Sequence, residues 1–454
     1  MKQRFKIRLT SSQIILLGFF AVIIAGSLLL CCPFSSASGK SVGYIDALFT
    51  SVTSTCVTGL VTLPTVSTWS VFGQAVILVL IQVGGLGVIT VVSLFMIMFN
   101  RKIGIADRLL IQDSFNLNSL SGLVKFVKKV IFGTLLTEGV GAVLYMTVFV
   151  PDFGARGIWI SVFNSVSAFC NAGIDIISEN SLCDYSKNIT VNAVTSALII
   201  LGGIGYIVWW DIIRVLRQKG KQRKTKLFGS LSLHSKIALS STFFLIIAGG
   251  ILIFAFEFSN PDTIGKYSIP EKIQAALFQS VTTRTAGFAA IPQQNFTDAS
   301  AVVSLLLMFI GGSPVGTAGG IKTVTAAVVA ATALSVIRNK HSIVLFGRRI
   351  SETAVRKATA VVCFSFITVF ISTVLMCAVT GAAALDVIYE TVSATATVGL
   401  SRGLTSDINI PAKLILCATM YFGRVGPISI AFALGGRTKN ENIIKDPIEE
   451  ISVG

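Results

Sequence analysis

Four stretches of the chain say nearly the same thing: ALFTSVTSTCVTGL (47–60), SVFNSVSAFCNAGI (161–174), ALFQSVTTRTAGF (276–288) and VIYETVSATATVGL (387–400). Each runs into a glycine, Gly59, Gly173, Gly287 or Gly399, spaced 114, 114 and 112 residues apart, so the polypeptide is one unit written four times. What such segments offer chemically is backbone carbonyl oxygen. Non-helical backbone at membrane depth is tolerated only against protein or a watery cavity. Four such loops around an axis could replace the hydration shell of a monovalent cation, with glycine allowing backbone that a β-carbon blocks. The competing reading is four glycine turns that cap hairpins for structural reasons alone; fourfold recurrence in parallel favours coordination.

The elements that must position these loops are membrane elements. With 53% hydrophobic and 13% charged residues, the chain lies far outside the soluble range. Apolar runs long enough to span a bilayer occur near 14–32, 69–99, 130–150, 191–210, 237–256, 301–337, 358–380 and 411–435. Apart from Lys413 at the start of the last run, only Glu138, Lys322 and Arg424 put a charge inside them. The short pieces 44–54, 158–168, 271–281 and 386–394 have the length of re-entrant helices. The expected fold is therefore an all-α integral membrane protein of eight transmembrane helices. Each unit is helix, pore loop, helix, and four parallel units surround a pseudo-fourfold pore, with boundaries at 1–100, 101–220, 221–340 and 341–454. A signal peptide is the rival for the first run, but that run exceeds a signal's core and counts as the first repeat helix.

The net charge of +16 has a topological account. Of the 37 Lys and Arg, 27 fall before residue 9, in 101–129, 214–236 and 338–357, and from Arg437 onward, whereas the opposite connections hold 12 of the 21 acids. The positive-inside rule places both termini and these segments in the cytoplasm. Lipid headgroups, not nucleic acid, are the expected partners of this charge. Eight scattered cysteines and two histidines, His234 and His341, give no metal spacing.

The second helices share a further mark: GGLG (84–87), GGIG (202–205), GGSPVG (311–316) and GRVG (423–426). Glycine pairs in membrane helices usually mean close packing, and that reading is adopted for the first two units. In the third unit, five glycines and Pro314 between Gly311 and Gly320 break the helix. A phosphate loop is excluded because Ile321 separates Gly320 from Lys322 and no strand precedes. In the fourth, Arg424 replaces the second glycine; a guanidinium at that depth usually faces a cavity and a partner. Carbonyls freed by the broken third helix are the expected partners, making Arg424 at once a tie and a gate. Lys322 either faces the cytoplasmic vestibule or snorkels, and Glu138 is expected to pair within the bundle. Asp46, Glu271, Asp386 and Glu390 could concentrate cations at the mouth; the first three read equally as helix N-terminal acids. The sequons at Asn188 and Asn295 fall outside.

The single glycine per unit, the TRTAGF and ATATVGL loops and the sequence GGSPVGTAGGIKT (311–323) resemble the Trk/Ktr/HKT superfamily of potassium transporters over essentially the whole chain. The Ktr membrane subunit is most similar, because residue 13 already opens the first repeat helix where Trk-type subunits carry two more. The resemblance implies potassium uptake across the cell membrane, a homodimer with one pore per protomer, and a cytoplasmic ring of nucleotide-binding RCK-domain subunits. It implies a selectivity filter of backbone carbonyls that bind K+: Cys56, Val57, Thr58 and Gly59; Cys170, Asn171, Ala172 and Gly173; Thr285, Ala286 and Gly287; and Ala396, Thr397, Val398 and Gly399. It makes Gly311, Gly312, Ser313, Pro314, Gly316, Thr317, Gly319 and Gly320 an intramembrane gating loop, with Lys322 and Arg424 beside it. Na+ is open as an activator or coupled ion, and the basic connections and the tail KDPIEEISVG are candidate docking surfaces. A membrane enzyme would need paired carboxylates or a Ser-base pair in the apolar runs; these are missing, so no enzyme is expected. A sodium-coupled solute carrier would want inverted repeats, and a sodium channel is the other alternative.

Overall fold

The computed structural model describes residues 10–98, 104–114, 122–219, 227–340, 342–426 and 430. The basic N-terminus, KDPIEEISVG, His341 and parts of the basic segments 101–129 and 214–236 lie outside these residues.

Four helices are long and apolar enough to cross a membrane, and each opens one unit: α1 (Ser11–Cys31), then α7 (Leu123–Phe153), α11 (Leu233–Glu257) and α15 (Glu352–Thr380) further along the chain. The first unit continues with α2 (Tyr44–Thr55), the single turn α3 (Thr65–Thr68), α4 (Val71–Leu86) and α5 (Val88–Met98), and α6 (Ile105–Ser114) leads out of it. After α7 come α8 (Arg156–Cys170), α9 (Ile189–Gly203) and α10 (Tyr206–Lys219). After α11 come α12 (Ile269–Thr282), α13 (Asp298–Phe309) and α14 (Thr323–Ile337), then a small antiparallel hairpin of β1 (Val344–Leu345) and β2 (Arg348–Arg349). The last unit is α15, α16 (Ala384–Ala396) and α17 (Ile410–Val425). The molecule is an all-α membrane protein whose short helices α2, α8, α12 and α16 coincide closely with the expected re-entrant pieces.

Local chemistry sets these boundaries. The second helix of every unit starts on a capping side chain: Ser70, Asn188, Thr297 and Asn409 accept from the backbone N–H of Gly73, Val191, Ser300 and Ala412. Each cap satisfies one orphan donor and stabilises its helix by about 1 kcal/mol. Asn188 of the first sequon is thus the α9 cap, and Asn295 of the second donates to the Asp262 carbonyl at 3.3 Å. On α15, Phe366 and Phe370 are more than 60% exposed, a surface that only lipid or protein can cover in a membrane.

The second crossings are not straight rods. α4 meets α5 at 96° and α9 meets α10 at 95°, where continuous spans were expected. The last glycine of each motif causes this: Gly87, Gly205 and Gly426 have φ of 85°, 91° and 88°, outside the helical well. The packing role of the first glycine is also real, since a Cβ at Gly84, Gly202 or Gly423 would overlap the carbonyl oxygen of Thr55, Phe169 or Thr395. Packing alone is therefore a corrected reading for the first two units. Their glycine motifs also end helices and release carbonyls, and those carbonyls are used.

Candidate ion-coordinating ring

The ring starts where the four short helices stop. Val57, Asn171, Thr285 and Thr397 all have positive φ, between 52° and 66°, and the glycine two residues later does too: Gly59 at 97°, Gly173 at 63°, Gly287 at 83°, Gly399 at 95°. The residues between them are not in that region. In a uniform extended strand successive carbonyls point opposite ways, whereas alternating the sign of φ turns them to one side. Left-handed backbone costs a non-glycine residue roughly 1–2 kcal/mol, so the alternation at four places is imposed by the surrounding structure. It also sets the register of the shorter third loop, in which Thr285 matches Val57, Asn171 and Thr397.

The four loops close on one another. A Cβ at Gly59 would lie 2.5 Å from the Ala172 carbonyl oxygen, one at Gly173 would overlap that of Ala286, one at Gly287 that of Val398, and one at Gly399 that of Thr58. Unit one leans on two, two on three, three on four, and four on one. Cys56, Ala396 and the other residues named for the filter are all buried. The Cys170 thiol points behind the ring, 3.6 Å from Gln82 Oε1 and 3.8 Å from Glu138 Oε1, while Gln82 Nε2 donates to Glu138 Oε2 at 3.3 Å.

Behind the ring lies a second set of four. Thr53 Oγ1 accepts the Gly59 N–H at 3.0 Å, Ser167 Oγ the Ile174 N–H at 3.2 Å and Ser393 Oγ the Gly399 N–H at 3.0 Å, while Thr282 Oγ1 donates to the Phe288 carbonyl at 2.7 Å. All four hydroxyls are buried. Sequence reasoning missed them, although the signal is there: each is the hydroxyl residue five or six positions before its glycine.

Below the ring runs the segment that separates α13 from α14. Ser313 N–H and Thr317 N–H donate to the carbonyls of Gly203 and Gly202 at 2.7 and 3.1 Å, and Tyr206 N–H donates to Val315 O at 2.9 Å. The break in α9/α10 thus docks the loop. Gly205 and Gly316 lie against each other's segments without room for a Cβ, Gly205 against Pro314 and Gly316 against Gly202. The loop reaches the ring from below as well: Thr317 Oγ1 donates to Phe169 O at 3.0 Å, and Gly319 N–H donates to Thr285 Oγ1 at 3.0 Å. Its two ends are tied by Gly311 N–H to Ile321 O and Thr323 N–H to Gly312 O, with Gly320 at φ 64°.

Three cations hold this loop. Arg424 Nη1 donates to Thr317 O at 2.6 Å, and its Nη2 to Gly84 O at 2.6 Å and Gly85 O at 3.3 Å. The expected tie to the third helix is present, but the first unit's broken helix supplies the other half. Lys322 Nζ turns back to Ala318 O at 2.5 Å and does not snorkel. Arg284 Nη2 donates to Gly311 O at 3.2 Å. A cavity of about 840 Å³ opens beneath, walled by Gly319, Lys322 and Arg424 above and by Val328, Ser365 and Phe422 at the sides.

At the N-terminal ends of the short helices, and at Glu390, the acids are already engaged. Asp46 pairs with Lys413 at 2.5 Å and Asp386 with Arg402 at 2.7 Å. Glu390 is buried and accepts from Thr405 at 2.7 Å and from Ser401. Glu271 closes a capping box on Ser268, whose N–H donates to it at 2.8 Å; this bond, aided by Lys187, holds its carboxyl below the usual range. Asp46, Glu271 and Asp386 all stand in the first turn of their helices, where the dipole favours a negative charge.

Comparison with known proteins places this architecture. A family model described as TrkH, cation transport protein, matches residues 7–439. The potassium/sodium uptake protein NtpJ of Enterococcus hirae is 38% identical, the match spanning 100% of this chain and 99% of that one. The Ktr system potassium uptake protein B of Bacillus subtilis is 36% identical over 99% and 98%. The crystal structure of the potassium transporter TrkH from Vibrio parahaemolyticus superposes with a TM-score of 0.75 at 16% identity, over 96% of this chain and 86% of that chain. With a family match that runs through all four glycine loops and relatives aligned end to end, the chain belongs to the TrkH family of cation transport proteins.

Proposed function

We infer that the protein carries potassium ions into the cell, through the ring of glycine loops and past the 311–320 segment acting as a gate. The single observation that supports this best is the closed ring itself: four loops in cyclic contact, each alternating the hand of φ so that carbonyls face one way. In this reading K+ exchanges its water for the carbonyls of 56–59, 170–173, 285–287 and 396–399. Inward flux is driven largely by the inside-negative potential, worth roughly 2.3 kcal/mol per charge per 100 mV. Arg424, tied to Thr317, keeps the loop across the path and repels cations from the cavity beneath. Lys322 adds a second charge on the same loop. The chain acts as a transporter and not as a catalyst.

The four units are 1–100, 101–220, 221–340 and 341–454, with both termini cytoplasmic. The protein works as a homodimer in the cell membrane, one pore per protomer, under a cytoplasmic ring of nucleotide-binding RCK subunits docked on the basic connections. Support for potassium as the cargo comes from the relatives, which are named as potassium uptake proteins. Sodium as activator or coupled ion is a second reading, favoured by the printed name of the Enterococcus hirae relative. Rubidium against sodium flux into liposomes, with K+ in competition, tests the main claim. Uptake of rubidium that K+ suppresses and Na+ does not is the expected result; no potassium-selective flux with the cytoplasmic partner present overturns it.

A further inference from the structure

Arg284 is the one charged residue within the four glycine loops, standing three residues before Gly287 where the other units have Cys56, Cys170 and Ala396. It is 6% exposed, and among the described residues no carboxyl pairs with it and its Nε has no partner. A guanidinium this dry and without a facing carboxylate carries a desolvation cost that its hydrogen bonds must offset. Its Nη2 donates to Gly311 O, the first residue of the loop below the ring, at 3.2 Å. A narrow void lined by Ile199, Gly203 and Gly312 lies beside it, so the guanidinium sits at the junction of the third glycine loop, α9 and the 311–320 segment.

The neighbouring residue makes a second tie of the same kind. Thr285, one of the left-handed residues of the ring, accepts the Gly319 N–H at 3.0 Å. The loop is therefore bound at both ends to one strand of the ring, through Gly311 and Gly319, while Arg424 holds only its middle at Thr317. We propose that Arg284 is a positioning residue that couples gate to selectivity: through Gly311 it fixes the third strand of the ring to the loop, so that displacement of the loop changes the geometry of the strand. The proposal rests on the transport reading above. Arg424 sets how often the path is open; Arg284 sets what the open path accepts.

The test is ion flux per amount of folded protein in liposomes, for wild type, Arg284→Gln, Arg284→Lys, Thr285→Val and Arg424→Gln, each measured with rubidium and with sodium. Arg284→Gln is expected to lower the rubidium-to-sodium ratio roughly tenfold, the change that corresponds to loss of one charged hydrogen bond, with Arg284→Lys between it and wild type. Arg424→Gln is expected to raise total flux with little change in ratio. Thr285→Val cuts the second tie without touching Arg284 and is expected to lower the ratio as well, so the proposal remains exposed if Arg284→Gln does not fold. An unselective wild type sinks the transport reading itself. A selective wild type whose ratio survives both Arg284→Gln and Thr285→Val, or Thr285→Val alone where the arginine variant does not fold, overturns the coupling.

Discussion

Arg424 donates to the carbonyl of Gly84, 340 residues earlier in the chain, at 2.6 Å, while its other terminal nitrogen donates to Thr317 at the same distance. One guanidinium thus joins the broken second helices of units one, three and four. The planar fork suits this, because its two terminal nitrogens are held apart and each takes its own carbonyl.

Replacing Arg424 by Gln is therefore expected to raise basal rubidium uptake in the absence of any cytoplasmic partner, by roughly tenfold or more, since hydrogen bonds from a charged group are worth about 1.5–3 kcal/mol each. Arg424→Lys should also leak, because an ammonium on a flexible stem does not reproduce the fork. Unchanged or lower flux in folded protein refutes the gate assignment.

Gly399→Ala is expected to abolish selective flux, because the new Cβ would overlap Thr58 O and φ is 95°. Gly139→Ala is the matched control. A Cβ there meets nothing within 4 Å, and alanine in the middle of α7 should stabilise by roughly 0.5–1 kcal/mol. Thermal melting and flux on the same preparations compare the two; equal selectivity in both would remove the ring from the mechanism.

Thr53→Val keeps the shape of the side chain and removes the acceptor for the Gly59 N–H. A buried donor left without a partner costs about 1–3 kcal/mol, so the melting temperature should fall. If the hydroxyls hold the strands in place, the rubidium-to-sodium ratio should fall too; a lower melting point with an intact ratio would make them purely structural.

Glu271 has its carboxyl held below the usual range by the Ser268 N–H, so its contribution to stability is present above the unfolded value and lost as pH falls through the lower folded one. Glu271→Gln should therefore narrow the gap between melting temperatures at neutral and acid pH. A pH profile of melting from 7 to 3 for both proteins reads this directly. Identical slopes would deny the capping box any part in acid stability.

The periodic part of this fold was legible. The four short helices lie close to where their hydroxyl-rich sequences put them, because each is a local object: a short apolar and hydroxyl-rich run that a glycine soon follows. The bends at Gly87 and Gly205 were not read, because the same glycine pair signals packing and rupture alike, and only the partners tell them apart. Those partners are distant: Gly202 and Gly203 answer to Thr317 and Ser313, and Gly84 to Arg424. Arg284 was not singled out from the sequence, although it stands where the other units have Cys56, Cys170 and Ala396, and nothing local pointed to Gly311 as its acceptor. Glu138 was read as paired, and Gln82, in the preceding unit, could be identified only from the fold.

The cyclic contacts among the glycines carry a handedness. Each strand rests on the next in chain order, and the fourth on the first, so the ring turns in one rotational sense and has no free end. A push on any one strand travels around the circle and comes back to where it began. In the transport reading proposed above, the aperture would act as an iris, in which four unequal copies set a single diameter and none is retuned alone.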